Sequence, residues 1–439
     1  MKKNVFSQSM WGITLSTLLL SGALVSCSND KPAPYVLQQA DITIQVPETG
    51  FQAVVDQLFR IEVNSLSDEG VSYTWTLDGE MLSNTKQLEY IFPYAGEYEL
   101  ILTAVQGTSS FSYTCQVAVS FDDSITIPEG ATAYITKVFD FMPAVGQFTN
   151  TLPAYEEGDT QEIMNQKVLD AIGNGNNSMI SLGGWGGYVV VGFDHTIENK
   201  PGLRDFRVRG NAFYAAANPN PDAPEGGSCE PGIIQVAYDK NKNGVPDEDE
   251  WYEIAGSAHR NPQGEAWYQM ALKNGNDVNL YKNYQITYYR PAQEPTTPEE
   301  KKQYIRWKDN QGNEGYKVKN GFHRQPYFPQ WFEGDELTFK GTCLPQNGID
   351  ESGQGNYFVL YKFRYGYVDN ETNAKDDSAI DIDWAVNSKG QKVNLPGVDF
   401  IKIYCGVNQE NGWLGECSTE VSGVEDLHVK GEEIPTREE

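Results

Sequence analysis

The sequence predicts an all-β protein: an N-terminal immunoglobulin-like sandwich followed by a larger jelly-roll-like sandwich with one short helix. Three observations point there. Apolar residues recur with a two-residue period along most of the chain, which is the pattern of half-buried strands. Gly, Asn and Asp cluster between these runs, where tight turns need them. The 439 residues include 25 Tyr, 19 Phe and 9 Trp, too many rings for a disordered chain and enough to fill two sandwich cores.

The first residues, Met1-Lys2-Lys3, are basic, and an apolar stretch from Trp11 to Val25 ends at Leu24-Val25-Ser26-Cys27. This layout is that of a signal peptide over 1–26, and the run is too short and weak for a stable membrane span. The Leu-Val-Ser-Cys end resembles the bacterial lipobox, which implies lipidation of Cys27. Ser28-Asn29-Asp30 resembles the surface-export signal of Bacteroides-type lipoproteins. Residues 27–38, with Pro32 and Pro34, form a tether between lipid and fold. The expected location is the outer membrane, with the protein facing the exterior and the lipid anchor as its only membrane attachment.

A formal net charge of −28 argues against nucleic acid and anionic lipid surfaces as partners, since both need a basic footprint. Cys115, Cys229, Cys343, Cys405 and Cys417 are scattered and odd in number, so they indicate neither a zinc site nor a dense disulfide framework. A Cys405–Cys417 bridge is allowed without being indicated.

The first domain is expected at 39–122. Ile42, Ile44 and Val46 alternate with polar residues, as do Phe59, Ile61 and Val63. Tyr73 to Leu77 reads as a strand running into an Asp78-Gly79 turn, and Ala95-Gly96-Glu97-Tyr98-Glu99-Leu100 starts another. Trp75 with Leu77-Asp78-Gly79, together with that second segment, resembles the core strand pair of the PKD family. The resemblance implies a spacer or adhesion module without catalysis, with Trp75 in its core.

The second domain is expected at 133–428, followed by a flexible tail at 429–439. Its one clear helix spans Thr160 to Ile172. Asp159 is the expected N-cap with Glu162 as its capping-box partner, Gly173 closes the helix, and Ile163, Met164, Val168, Leu169 and Ile172 form a docking stripe. The remainder alternates strands with loops, for example Tyr188 to Phe193, Ile233 to Tyr238, Ile380 to Ala385 and Phe400 to Tyr404, without a repeat period. Pro291 to Lys302 is a surface insertion.

Asp239, Asn241, Asn243, Asp247 and Glu250 occupy positions 1, 3, 5, 9 and 12 of a calcium loop, with Gly244 at position 6 and the Val245 carbonyl at 7. Ca²⁺ wants six to eight hard oxygens, and this spacing supplies them. The flanks read as strands, so the expectation is a structural Ca²⁺ that staples a hairpin; a solvated acidic turn is the alternative.

Asp381 and Asp383 lie two apart on an expected strand and would share one face, as a glycosidase pair, as ligands of a loop-bound cation, or as a plain polar strand face. Gly183-Gly184-Trp185-Gly186-Gly187 precedes a strand and so does not cradle phosphate at a helix N-terminus. The stretch 322–332 gathers rings in a proline-broken loop. Arg324, Tyr327, Phe328 and Trp331 there, with Trp185 and Trp267, are the candidate ligand-binding residues; the same rings could equally form a satellite core. Tyr214, Tyr268 and Trp413 are weaker candidates.

Ser181 to Asp194, Asp205 to Val208, Gly210 to Phe213, Glu230-Pro231-Gly232-Ile233, Asp381 to Val386 and Trp413 to Glu416 with Ser418-Thr419-Glu420 together resemble the PKD-containing cell surface lipoprotein group of Bacteroides. Members often accompany vitamin B12 acquisition loci. The resemblance implies a non-enzymatic protein that captures corrinoid for an outer-membrane TonB-dependent transporter. Alternatives from the residues themselves are a glycan-binding lipoprotein, a structural adhesin, and a glycoside hydrolase using Asp381 and Asp383.

Overall fold

The computed structural model describes residues 35–122, 124–176, 178–214 and 222–437. The leader, Cys27 and the first part of the tether lie outside the described residues. The chain is all-β, and no helix among the described residues is long and apolar enough to cross a membrane.

In the N-terminal part, five strands form one sheet in the order Phe51–Val54, Ser109–Ser120, Gly96–Gln106, Ser72–Leu77, Glu80–Ser83. The first pair is parallel and the rest antiparallel. Leu58–Ile61 pairs with Leu88–Ile91, and Ile42–Ile44 with Val63–Ser65. Trp75 is fully buried, and its indole N–H donates to the Lys86 carbonyl at 3.2 Å, so the ring's one polar atom is satisfied. Asp78 and Gly79 both have left-handed φ (52° and 84°), as a two-residue hairpin turn requires. The first strand ends at Ile44, and Val46 is exposed. The tether is shorter than expected, because Leu37 is buried and its N–H donates to the Gln106 side chain at 2.7 Å.

The larger part is built on an antiparallel six-stranded sheet: Lys137–Met142, Tyr188–Glu198, Gly397–Cys405, Gly232–Ala237, Trp251–Ile254, Ala385–Val386. Both of its faces are covered. Ile234 and Val236 pair with Ile403 and Ile401 in one core, while the Ile233–Tyr404 pair faces a second core. That second core lies against a four-stranded sheet of Glu314–Lys317, Ile305–Asp309, Tyr281–Tyr289 and Glu336–Cys343. The two sheets make the sandwich, and Trp185 sits between them, edge-on to Tyr284 at 4.7 Å and to Tyr404 at 6.3 Å. The glycines beside it serve close packing: a Cβ at Gly187 would lie 1.9 Å from the Leu182 carbonyl oxygen.

Several expectations are corrected. The helix spans Gln161–Ile172, and its N-cap is Thr160, whose hydroxyl accepts the Ile163 N–H at 3.4 Å. Asp159 instead pairs with Lys167 at 2.6 Å, and Ile163 faces solvent, so the buried stripe is Met164, Val168 and Ile172. Residues 379–386 do not form one strand. Ala379–Ile380 and Ala385–Val386 belong to different sheets, with a 3₁₀ turn over Ile382–Trp384 between them. Asp381 caps that turn by accepting the Asp383 N–H at 2.8 Å, so the two carboxylates do not share a strand face.

The tail is docked as far as Arg437. Leu427–Lys430 is helical, Ile434–Pro435 pairs with Leu203–Arg204, and Ile434 is buried. Burial of Ile434 and the Arg437–Asp377 ion pair at 2.5 Å hold a segment that its charge pattern alone suggested would be loose.

Candidate functional site: a carboxyl-lined cavity flanked by two exposed rings

The expected ligand rings are mostly core. Tyr327, Phe328, Trp185 and Trp267 are all buried. The loop that holds Tyr327 and Phe328 folds inward because the Asn150 amide donates to the Pro326 and Phe328 carbonyls at 2.8 and 3.0 Å. Trp331 stacks between Phe141 and Tyr155 and donates its indole N–H to Gln161. Arg324 remains exposed. The same loop does present rings, but from its first turn. The Asn320 side-chain oxygen accepts the N–H groups of Phe322 and His323, both at 2.9 Å, and the turn leaves Phe322 76% exposed.

Phe322 and His323 line a cavity of about 410 Å³, a size typical of small-molecule sites. Trp413, 54% exposed, also lines it, held by its indole N–H donating to the Asn356 carbonyl at 3.2 Å. Hydrogen bonds through Gln147 join the two segments that carry these rings. The Asn320 amide donates to the Gln147 side-chain oxygen at 2.5 Å, the Gln147 amide donates to the Leu414 carbonyl at 2.7 Å, and the Gln147 N–H donates to Glu416 at 2.6 Å. Gly415 (φ 91°) lets the chain pass Gln147, since a Cβ there would crowd that side chain at 3.1 Å.

Most of the lining is apolar, with Phe148, Leu152, Met179, Leu360 and Leu414 contributing, and three carboxyls, Glu230, Glu416 and Glu420, are set among them. Glu230 accepts the Ser418 N–H at 2.9 Å, and Glu420 accepts the Ser418 hydroxyl at 2.8 Å. Behind them Asp369 accepts the N–H groups of Glu420 and Asn211 at 3.0 and 2.7 Å. One oxygen from each of Glu230, Asp369 and Glu420 lies within 4.8 Å of the others; among the described residues this is the cluster whose spacing could hold a metal ion. Burial first, and then repulsion from one another, pushes all three carboxyls well above the usual carboxylate range. Glu416 is pushed up to about 7 by burial and by the charge of Glu410, against the pull of Lys317. Three carboxyls packed this closely favour a shared proton or a cation over full ionisation. Asn411, also buried in the lining, has an amide oxygen with no hydrogen-bond partner among the described residues.

The calcium-loop residues also converge. The Asp239 carboxylate accepts the N–H groups of Asn243 and Gly244 at 3.0 and 2.7 Å, and Glu250 accepts those of Lys240 and Asp247 at 3.0 and 3.1 Å. The amides of Asn241 and Asn243 both reach one oxygen of Asp247, at 2.6 and 2.8 Å. The oxygens of the same two amides accept the N–H groups of Asn243 and Val245 at 3.0 and 2.8 Å, which fixes the orientation of both amides.

Sequence reasoning found Trp413 as a minor candidate and missed Gln147, Asn320, Glu230, Asp369, Glu416 and Glu420 as a group. The available signal was Glu416 and Glu420 bracketing an otherwise uncharged run that enters a buried strand at Val421.

No family model matches the chain, and no curated protein matches it. Solved structures that resemble it include a quinonprotein alcohol dehydrogenase-like protein from Bacteroides thetaiotaomicron VPI-5482, at 14% identity and TM-score 0.16; the match covers 23% of this chain and only 24% of that one. A SusE-like protein matches at 8% identity over 88% of this chain and 97% of that one, with TM-score 0.22. A carbohydrate-binding module of the β-sandwich superfamily matches at 14% identity over 50% and 84%, with TM-score 0.19. Scores this low carry no argument about fold or function.

Proposed function

We propose that the chain is a non-catalytic, surface-exposed lipoprotein that binds a glycan in the cavity lined by Phe322 and Trp413. The observation that supports this is the pairing of two exposed rings with carboxyl and amide groups in one lining. Rings stack on the apolar faces of sugars, while carboxyls and amides hydrogen-bond their hydroxyls, and the hydrogen bonds through Gln147 fix both sets before the ligand arrives. In this reading Cys27 carries the lipid, the loop 239–250 binds a structural Ca²⁺, and the protein hands its ligand to an outer-membrane TonB-dependent transporter.

A corrinoid is the second reading, favoured by the resemblance to the Bacteroides cell surface group. Its amide-fringed macrocycle is larger than the cavity and would lie across the rim on Phe322 and Trp413, with peripheral amides reaching Glu416 and Glu420. Calorimetric titration with a panel of neutral oligosaccharides and, separately, with cyanocobalamin tests both. Stoichiometric binding of an oligosaccharide supports the glycan reading, and binding of cyanocobalamin alone replaces it with the corrinoid reading. Heat from neither would refute the assignment of this cavity.

A further inference from the structure

A second cavity, of about 440 Å³, has the opposite electrical character. It opens beside the hairpin that follows the 3₁₀ turn at Ile382–Trp384, and the docked tail supplies part of its wall. Four permanent cations, Arg260, Lys282, Lys392 and Arg437, line it against two carboxylates, Asp381 and Asp383. Arg437 is already paired with Asp377, so the positive charge open to a ligand is that of Lys282 and Lys392.

Both carboxylates already have partners. Asp381 is buried and accepts the Asp383 N–H at 2.8 Å and the Thr436 hydroxyl. Asp383 accepts from the Asn199 amide at 3.2 Å and lies 3.5 Å from the Lys392 ammonium. That last pair is solvent-exposed on both sides, so a ligand anion can compete for Lys392 at little cost. Lys282 has no acceptor among the described residues. Its ammonium lies over the hairpin turn, 3.0 Å from where a Cβ on Gly390 would be, at the cavity lining. The buried Trp384 indole forms part of the same wall.

We infer that this cavity is a second binding site, for a small ligand bearing a carboxylate or phosphate group, with Lys282 and Lys392 as its anion contacts. The inference is independent of the ligand proposed for the first cavity. Titration of the full protein in low-salt buffer with glucuronate, with inorganic phosphate, and with glucose as the uncharged control tests it.

At least one anion is expected to bind while glucose does not, and added salt should weaken binding through screening. Glucuronate alone binding identifies a carboxylated sugar as the source, and phosphate alone binding identifies a phosphorylated one. Lys282→Gln with Lys392→Gln, two exposed positions, should weaken binding at least tenfold with an unchanged melting temperature, whereas Trp413→Ala in the first cavity should leave it intact. No binding of either anion, equal binding of glucose, or full binding by the double variant would overturn the inference.

Discussion

Calcium should raise the melting temperature of this protein, because the loop sits on the central sheet. The loop joins Gly232–Ala237 to Trp251–Ile254, two neighbours in the six-stranded sheet. The Asp239 N–H also donates to Asp399, in the Gly397–Cys405 strand, at 2.8 Å. A bound ion therefore stabilises the central sheet and not a fringe. Asp239 and Glu250 are only 7% and 2% exposed, and burial raises the Glu250 carboxyl above its usual range. Their concentrated charge is an unfavourable term in the ion-free fold that Ca²⁺ would remove.

At a free concentration one hundred times the dissociation constant, the linkage term is about 2.7 kcal/mol. For a domain of this size each kcal/mol moves the melting temperature by roughly 2–4 °C, giving a rise of about 5–10 °C. Differential scanning fluorimetry in millimolar calcium and in EDTA measures it. Terbium luminescence sensitised by Trp251, the residue next to Glu250, gives a second readout of ion binding. Asp247→Ala should abolish both signals while leaving the backbone bonds to Asp239 and Glu250 in place. Superposed melting curves, or an undiminished shift in Asp247→Ala, would refute the reasoning.

Trp413→Ala should weaken binding of the first cavity's ligand about tenfold, near 1.4 kcal/mol, and leave stability almost unchanged, because the ring is exposed and packs little. Titration and chemical denaturation of the same preparation check the two halves. The Glu416 carboxyl, raised to about 7, binds more protons in the folded than in the unfolded state, so its contribution is present at low pH and is lost as pH rises toward 7. Glu416→Gln keeps the acceptor for the Gln147 N–H, so urea unfolding at pH 5 and pH 8 should differ less in the variant than in the parent; an unchanged difference would exclude Glu416 as a titrating group. Deleting residues 434–439 should cost about 2–4 kcal/mol, from burial of Ile434 and the bonds of Thr436 and Arg437; a change under about 0.5 kcal/mol in denaturation would show the tail to be undocked in solution.

Strands were legible where one face is buried and the other wet, as at Phe59 and Ile61 or around Trp75, although Val63, which shares their alternation, starts a separate strand in another sheet. They were misread at 380–385, where Asp381 accepts the Asp383 N–H and turns the chain out of the strand. Apolar periodicity carries no trace of that local competition between side chain and backbone. The candidate site was less legible for a different reason. Tyr327 and Phe322 are both rings in one proline-broken loop, yet one is buried and the other exposed: the distant Asn150 pulls the loop in, while the neighbouring Asn320 turns its first residues out. The acidic cluster likewise joins residues from 230, 369 and 420, which only the folded sheets bring together. The turn at 239–250 was legible as a local unit because its side-chain and backbone partners all lie within twelve residues.

The sheet links the calcium loop to the second cavity more directly than to the first. Trp251–Ile254, which leaves the loop, is hydrogen-bonded to Ala385–Val386, with Glu253 opposite Val386 and Ile254 opposite Ala385. Ala385 and Val386 both line the anion cavity, and Lys392 reaches it from the same hairpin, bridged to Val386. The first cavity meets the same sheet only through Glu230, which precedes Gly232–Ala237 at the end of that strand away from the loop, and the rest of it is held by the bonds through Gln147 and by the 410–420 segment. Removing calcium should therefore weaken anion binding several-fold while leaving the ligand of the first cavity within twofold of its original affinity, about 0.4 kcal/mol. Parallel titrations in calcium and EDTA would show it. Equal losses at both cavities would mean that the ion stabilises the fold as a whole and positions neither site.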